Sequence, residues 1–407
     1  MHSSAREWLS AVEASEFLGV RRETLYAYAS RGQLRAQRES GKRVYALRDL
    51  EALKARSLSR RGHAAVAAAA LHFGEPVLDT RVSAIGADGP RYRGQSALEL
   101  GQRDVSAERV AELLWSGTLP SVEPRWPRLT RAVFGAGFRA KPATPAAAMR
   151  FTLCNWPSEA GRSWERSQAE ELEPARRLLR ALAAAPALGS AARLDAALNA
   201  PCLASALLES LGVRASARAR AALNRALVLA ADHELNASTF VARVAASAGA
   251  DLARSLEAAF ATLSGGRHGG ACDQLEAALA GFARPEQALA WVRTALAERR
   301  ALPGFGHPLY PAGDPRLAPL LADSVALAPG RKPVRALLTA CDAMQLAGAE
   351  APTFDLGLVA LSAALGLPRG AAAAVFALGR ALGHLAHVFE QRQQGSLLRP
   401  RAHYVGV

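Results

Sequence analysis

The sequence predicts a mostly α-helical protein, in which a small N-terminal domain precedes a large helical body. Half of the 407 residues are hydrophobic, only 6% are aromatic, and alanine dominates, which favours closely packed helices. Ala/Leu-rich segments with helical spacing continue from about residue 187 to near the C-terminus. A chain of this length has room for a large core and for more than one domain.

The chain is strongly basic, with a net charge of +14, and only four of its 50 Lys and Arg residues are lysines. Such a surface favours nucleic acid or small anions with phosphates and carboxylates, and charge alone does not choose between them. Cys154, Cys202, Cys272 and Cys341 lack paired spacing, so neither a zinc site nor a disulfide framework is indicated. With no apolar signal core in view, we expect a soluble cytoplasmic protein.

Residues 1–56 have the pattern of two short helices followed by a β-ribbon. Gly19 separates two stretches of helical spacing within ASEFLGVRRETLYAYASRG, and a turn at Ser40-Gly41 separates two short strands. This spacing is similar to that of winged helix-turn-helix domains of the MerR and excisionase type. The resemblance implies DNA contacts from the start of the second helix and from the wing, and the candidate residues are Arg21, Arg22, Thr24, Arg38, Lys42 and Arg43. The alternative is a domain that only packs or assists assembly. Residues 57–62, rich in Arg and Ser, are the predicted linker.

A rigid loop at residues 304–316 is the centre of the second domain, predicted at 63–407. It reads GFGHPLYPAGDPR, and its three glycines and three prolines cannot continue a helix. His307 follows Gly-Phe-Gly, where missing side chains let a ligand approach the backbone. Arg316 offers a planar fork that suits a carboxylate.

Two further segments supply groups that this loop lacks. GGRHGGAC holds His268 between glycine pairs, and TFDLG holds Asp355 at the start of a helical run that reaches Arg380 and His387. An apolar setting raises the pKa of a lone carboxylate, as a general base requires. One carboxylate, two imidazoles and several arginines suit carbanion-type chemistry on a substrate that bears carboxylates, without a metal.

These segments, in this order, resemble the citrate synthase family, which includes citrate and 2-methylcitrate synthases. The resemblance covers VLDTRVSAIGADGPRYRG, ADHELNAST, HGGA, the loop, the Asp355 segment and the terminal RPRAHYVG. It implies a fold of a large and a small helical domain, the small one at roughly 270–375, and a homodimer. It also implies condensation of acetyl-CoA with oxaloacetate, as in the tricarboxylic acid cycle, with the CoA thioester as co-substrate and no cofactor.

Carried over by motif, the resemblance gives each candidate residue a role. Asp355 takes a proton from the acetyl methyl group, His268 hydrogen-bonds the thioester oxygen, and His307 polarises the ketone of oxaloacetate. The substrate-binding residues are Arg316, Arg380, His233 and, from the other subunit, Arg399. The backbone of Gly304, Phe305 and Gly306 meets CoA. Taken alone, His233 has the features of a structural core histidine.

The sequence departs from the family pattern at two positions. Ala230 stands three residues before His233, where the family has another histidine that touches oxaloacetate, and Cys272 stands where asparagine normally follows HGGA. The identity of the acyl-CoA and of the 2-oxo acid therefore stays open. Two alternatives also remain: a metabolite-sensing DNA-binding regulator with a catalytically weak body, and a citryl-CoA-type lyase.

Overall fold

The computed structural model describes residues 8–30, 34–39, 42–47, 49–50, 78–157, 166–266, 268–282, 284–400 and 404. The chain divides into two compact units, Met1–Asp79 with Arg399–Val407, and Thr80–Leu398. Each unit has a hydrophobic core of its own. The linker predicted at 57–62 lies outside the described residues, and the domain bounds given above remain predictions.

The first unit contains the predicted helix-turn-helix and ribbon. Its elements are β1 (Trp8–Ser10), α1 (Ala11–Leu18), α2 (Arg22–Ser30), β2 (Ala36–Glu39) and β3 (Lys42–Ala46). Ser10 and Glu13 form a capping box that begins α1, and Gly19 ends it at φ 64°, in the left-handed region that glycine adopts without steric cost. The strands form an antiparallel sheet in the order β1-β3-β2. The helices and the sheet pack around Ala14, Leu25, Leu34, Tyr45 and Leu50.

The second unit is built from helices, with one small antiparallel sheet of β4 (Ser83–Gly86), β5 (Gly89–Tyr92) and β6 (Gln95–Ser96). Its α-helices are α3 (Ala97–Gln102), α4 (Ala107–Ser116), α5 (Pro145–Cys154), α6 (Gln168–Ala184), α7 (Ala191–Asn199), α8 (Leu203–Ser210), α9 (Ala217–Ala230), α10 (Ala237–Ser247), α11 (Leu252–Leu263), α12 (Ala271–Ala280), α13 (Gln287–Ala297), α14 (Leu317–Leu327), α15 (Lys332–Leu346), α16 (Phe354–Leu365) and α17 (Ala371–Gln394). Short 3₁₀ segments lie at Arg131–Arg139 and Ala185–Ala187. The mostly helical fold class is confirmed.

The sequence predicted one helical run from the Asp355 segment to His387, and this prediction is wrong about the continuity of the helix. The structure has two helices here, because α16 ends at Gly366 and α17 begins after Gly370. Both glycines have positive φ, 71° and 81°, and Pro368 lies between them, so the backbone cannot continue as one helix.

Helix α17 is the central helix of the second unit. Among the described residues it is the one helix long and apolar enough to cross a membrane, but 94% of its most apolar window is buried inside the unit, as expected of a core helix. Gly379 lets α17 approach α9 closely, since a Cβ atom there would lie 2.7 Å from the Cβ of Ala230. This crossing holds Arg380 and the ADHELNAST segment next to each other.

Candidate active site

The loop at residues 304–316 is fastened by its backbone to the segment that leads into α16. The Gly306 N–H donates to the Ala351 carbonyl at 2.9 Å, and the Thr353 N–H donates to the Gly304 carbonyl at 2.9 Å. Gly306 has φ 76°, a conformation that residues with a side chain rarely adopt, and a Cβ atom there would meet the Glu350 carboxylate at 2.7 Å. These two hydrogen bonds fix the position of the loop relative to Asp355, which lies two residues after Thr353.

Asp355 lies in the first turn of α16 and is partly buried. The Cys272 thiol donates to its Oδ1 over 3.3 Å, and the Thr353 hydroxyl donates to its Oδ2 over 3.4 Å. Burial raises the pKa of Asp355, although the Cys272 hydrogen bond and the charge of Arg316 oppose this. The sequence expectation of a carboxyl with a raised pKa is therefore met.

His268 lies in the turn before α12, and its Nε2 is 2.9 Å from the Ser238 hydroxyl. The same hydroxyl is 3.1 Å from His384 Nε2, so Ser238 joins two imidazoles. Burial, together with the charge of Arg380, lowers the pKa of His268 to about 4. His268 is therefore neutral at pH 7 and presents its other ring nitrogen without a positive charge.

His307, His233 and Tyr310 form a cluster of rings. His233 Nε2 is 3.1 Å from the Tyr310 hydroxyl, and the His233 and His307 ring centres are 5.6 Å apart, edge to face. Burial lowers the pKa of His307. It lowers the pKa of His233 further, with help from the charges of Arg316 and Arg380. Both imidazoles are neutral at pH 7.

Arg316 and Arg380 are almost fully buried, with 3% and 2% of their surface exposed. Asp314 accepts from Nε and Nη2 of Arg316 at 2.9 and 2.7 Å, so one face of the guanidinium fork is already occupied by a carboxylate of the protein. Within the described part of the chain, Nη1 of Arg316 and both Nε and Nη1 of Arg380 have no hydrogen-bond partner. Buried donors without partners are uncommon, and these three fit the oxygens of an anionic ligand.

Two aromatic rings connect these groups. Phe354 and Phe376 have ring centres 6.3 Å apart. The Arg316 guanidinium carbon lies 4.5 Å from the Phe354 ring, and that of Arg380 lies 5.0 Å from the Phe376 ring. The His268 ring is 6.3 Å from Phe376. The second unit thus brings together candidates that are far apart in sequence: Asp355, His268, His233, His307, Arg316 and Arg380.

The remaining candidates lie at the start of the loop and near the C-terminus. Phe305 is buried, with 6% of its surface exposed, so residues 304–306 offer a ligand their backbone and not a side chain. Arg399 is exposed and belongs to the first unit.

In the first unit, the candidate DNA-binding residues occupy two places. Arg21 and Arg22 are exposed at the beginning of α2, and Thr24 is partly buried in the first turn of the same helix. Arg38 and Arg43 are exposed and face each other across the ribbon. The side chain of Lys42 lies outside the description.

Three residues that the sequence did not single out also belong to the cluster. Ser238, Tyr310 and Thr353 contact His268, His233 and Asp355 respectively. All three lie inside segments already singled out, in NAST, HPLY and TFD. A hydroxyl residue within a segment that already holds a candidate histidine or aspartate was the sequence signal that could have identified them.

Comparison with protein-family models decides the relationship. The model described as citrate synthase, C-terminal domain, matches residues 72–401. The chain belongs to the citrate synthase family. A helix-turn-helix domain model matches residues 8–57, in agreement with the resemblance seen in the N-terminal sequence.

Individual members of the citrate synthase family match about half of the chain. Citrate synthase 2 of Bacillus subtilis is 35% identical over 188 residues, which cover 46% of this chain and 50% of that protein. The 2-methylcitrate synthase 2 of Corynebacterium glutamicum is 32% identical over 185 residues, covering 45% and 48%. The chain thus spans about half the length of the curated relatives it matches.

Solved structures of the citrate synthase family share the fold. The ternary complex of carboxymethyl coenzyme A and oxaloacetate with citrate synthase from Thermoplasma acidophilum has a TM-score of 0.69 at 23% identity, covering 82% of this chain and 94% of that one.

Both departures from the family pattern lie in the core of the second unit. Ala230 is fully buried and meets Gly379 at the crossing of α9 and α17. Cys272 is also fully buried and contacts Asp355. Among the described residues, no group of three or more His, Cys, Asp or Glu side chains is arranged to hold a metal ion.

Proposed function

We propose that the second unit condenses an acyl-CoA with a 2-oxo dicarboxylic acid and releases CoA. The observation that carries this proposal is the presence, in one cluster, of a carboxyl of raised pKa, Asp355, and buried arginine donors that have no hydrogen-bond partner among the described residues. A base and a carboxylate-binding pocket are what an aldol-type condensation on an oxo acid needs. The names of the relatives, citrate synthase and 2-methylcitrate synthase, support the same reaction class.

In the proposed first step, Asp355 takes a proton from the carbon next to the thioester carbonyl. His268 donates a hydrogen bond to the thioester oxygen, where negative charge develops, and the product is the enol. The raised pKa of Asp355 makes it a stronger base than an exposed aspartate. The lowered pKa of His268 keeps it a neutral donor.

In the proposed second step, the enol carbon attacks the ketone of the 2-oxo acid. His307 polarises the ketone oxygen, and Nη1 of Arg316 with Nε and Nη1 of Arg380 bind the carboxylates. His233, supported by Tyr310, faces the same substrate. Water then hydrolyses the citryl-CoA thioester, which releases CoA and the tricarboxylic acid. The backbone at residues 304–306 receives the adenine end of CoA.

Oxaloacetate is the first 2-oxo acid to test, and acetyl-CoA and propionyl-CoA are the first acyl donors, because the relatives carry both names. The Thermoplasma acidophilum enzyme was solved with oxaloacetate and a CoA analogue, which supports this choice. Ala230 is the reason to include other 2-oxo acids, since a lost donor to a charged substrate costs about tenfold to a hundredfold in affinity. Run in reverse, the same groups would make a citryl-CoA-type lyase.

The test is release of free CoA, followed with a thiol reagent, for each acyl-CoA with oxaloacetate, 2-oxoglutarate and pyruvate. We expect one pair to be turned over, and we expect D355N to remove that activity. The exposed Glu298 provides the control E298Q, which keeps it. Folded wild-type protein that releases no CoA with any of these pairs would overturn the proposal.

A second candidate function rests on the first unit. We propose that it binds DNA, so that the protein responds to a metabolite as a regulator. The exposed Arg21 and Arg22 at the start of α2, and Arg38 opposite Arg43 on the ribbon, support this. The measurement is selection of bound duplexes from a random DNA pool, then fluorescence anisotropy at several salt concentrations with and without oxaloacetate.

A regulator predicts that R22A weakens DNA binding while D355A leaves the ligand response intact. It also predicts a salt dependence that decreases in R43A, because each phosphate contact releases counterions. An enzyme whose first unit only assists assembly predicts no selected duplex.

We further propose a homodimer in which Arg399 of the partner subunit completes each site, and a cytoplasmic location. The free state of all four cysteines supports a reducing compartment.

A further inference from the structure

Cys272 touches the proposed base directly. It lies near the start of α12, none of its surface is exposed, and its Sγ is 3.3 Å from Asp355 Oδ1. Thr353 contacts the other carboxylate oxygen, so each oxygen of Asp355 meets a side-chain donor. The resemblance to the family implies asparagine at this position, whereas in this chain the donor that meets the proposed base is a thiol.

The chemical state of Cys272 follows from its surroundings. Burial and the nearby carboxylates of Asp355, Glu276 and Asp273 raise the pKa of its thiol well above the ordinary value. The sulfur therefore stays protonated at pH 7 and acts as a donor, neither a nucleophile nor a metal ligand. A thiol is a weak donor compared with a hydroxyl or an amide.

We propose that Cys272 is a positioning residue that acts through Asp355, and that its thiol fixes Oδ1 by a weak hydrogen bond while leaving the carboxylate strongly basic. This inference rests on the proposed function, in which Asp355 removes a proton from the acyl-CoA. A donor that stabilises the carboxylate lowers its proton affinity. A stronger donor at this position would thus make Asp355 a poorer base. Removal of the donor would leave the carboxylate without its hydrogen bond at Oδ1, and its orientation would be less fixed.

Other charged groups also face Asp355, and they stay the same when Cys272 is replaced. The cations are Arg316 from the loop and Arg380 from α17, the anion is Asp314, and His307 is a neutral neighbour. A change in the titration of Asp355 on substitution of Cys272 therefore reports on the thiol.

The first experiment is the pH profile of kcat/KM for the acyl-CoA in C272A and C272S. Activity needs ionised Asp355, so the acid limb follows its pKa. We expect C272A to move this limb to a pH higher by roughly half a unit, and C272S to move it to a pH lower by a similar amount. Each shift corresponds to a change of about threefold in the proton dissociation constant of Asp355. KM for the 2-oxo acid should stay within about twofold. The matched control is C341S on α15, whose profile should coincide with that of the wild type. Coincident limbs in all variants would overturn the proposal.

The second experiment does not need turnover. The infrared difference spectrum of wild type minus C272A isolates the S–H stretching band of Cys272. We expect a hydrogen-bonded band that moves toward the free-thiol frequency in D355N, because a neutral amide is a weaker acceptor than a carboxylate. An identical band in D355N would overturn the proposal. A shifted band in a protein that releases no CoA would leave the contact established and the proposed condensation rejected.

Discussion

The guanidinium carbon of Arg316 lies 4.5 Å from the centre of the Phe354 ring. A buried cation is thereby held one residue away from the carboxyl group proposed as the base. Asp314 pairs with Arg316 through two nitrogens, which leaves Nη1 for a ligand. Stacking and pairing together depend on a flat, forked cation.

We expect R316K to bind the 2-oxo acid poorly, because a lysine ammonium provides neither the fork nor the stacking surface. The KM for the 2-oxo acid should rise about tenfold to a hundredfold, while the KM for the acyl-CoA changes less than about threefold. Steady-state CoA release with each substrate varied in turn measures both. R335K, at an exposed position of α15, is the matched control. Equal increases in both constants would contradict the assigned role.

Asp355 is expected to oppose folding while serving catalysis. Burial raises its pKa in the folded chain, so the ionised form costs stability above the pKa of the unfolded chain, and this cost disappears as pH falls below that value. D355N should therefore raise the apparent Tm at pH 7 by about 1 to 3 °C and lower kcat by about two to four orders of magnitude. Differential scanning fluorimetry and CoA release test both. A variant less stable than wild type at pH 7, or equally active, would contradict this prediction.

His268 gives a pH dependence of the opposite sign. Its folded pKa of about 4 lies below that of a free imidazole, so the unfolded chain takes up a proton that the folded chain does not as pH falls below about 6.5. We expect this residue alone to lower the unfolding free energy by about 2 kcal/mol between pH 8 and pH 5. Urea unfolding of wild type and H268Q at both pH values measures the difference, and an equal loss in both proteins would rule out the effect.

The candidate catalytic residues could be predicted from the sequence more readily than the residues that hydrogen-bond to them. Glycine and proline mark the loop at residues 304–316 and the segment before α12 through local backbone preferences, so His307 and His268 were found. The pairing of Asp314 with Arg316 was missed, because two residues of spacing do not reveal whether side chains meet or point apart. Ser238 and Cys272 were not linked to His268 and Asp355, since those contacts depend on how α10, α12 and α16 pack.

The division at Gly366–Gly370 has a similar explanation. Ala/Leu composition favours helix on both sides of the break, and apolar spacing alone does not separate one long helix from two. The left-handed conformations of the two glycines end the first helix and begin the second. The Gly-Leu-Pro-Arg-Gly sequence was the available signal.

Arg380 should lower the stability of the folded protein until a ligand binds. Its Nε and Nη1 have no partner within the described residues, and burial lowers its pKa only to about 10, so it stays charged at pH 7. We expect R380M to keep or raise the apparent Tm of the free protein, because a buried cation with two unsatisfied donors opposes folding. The rise in Tm that 1 mM oxaloacetate gives the wild type should vanish in R380M. An unchanged ligand-induced shift would contradict a carboxylate role for Arg380.

A mixture of two inactive variants tests the shared site. If Arg399 of the partner subunit completes each site, a heterodimer of D355N and R399A has one site with both residues intact and one with neither. Random reassortment makes half of the dimers heterodimers, so activity should return to about a quarter of the wild-type value. The measurement is CoA release after joint refolding of the two variants, with separately refolded variants mixed afterwards as the control. If Arg399 serves its own protomer, no dimer contains an intact site, and activity will stay at the mean of the two variants.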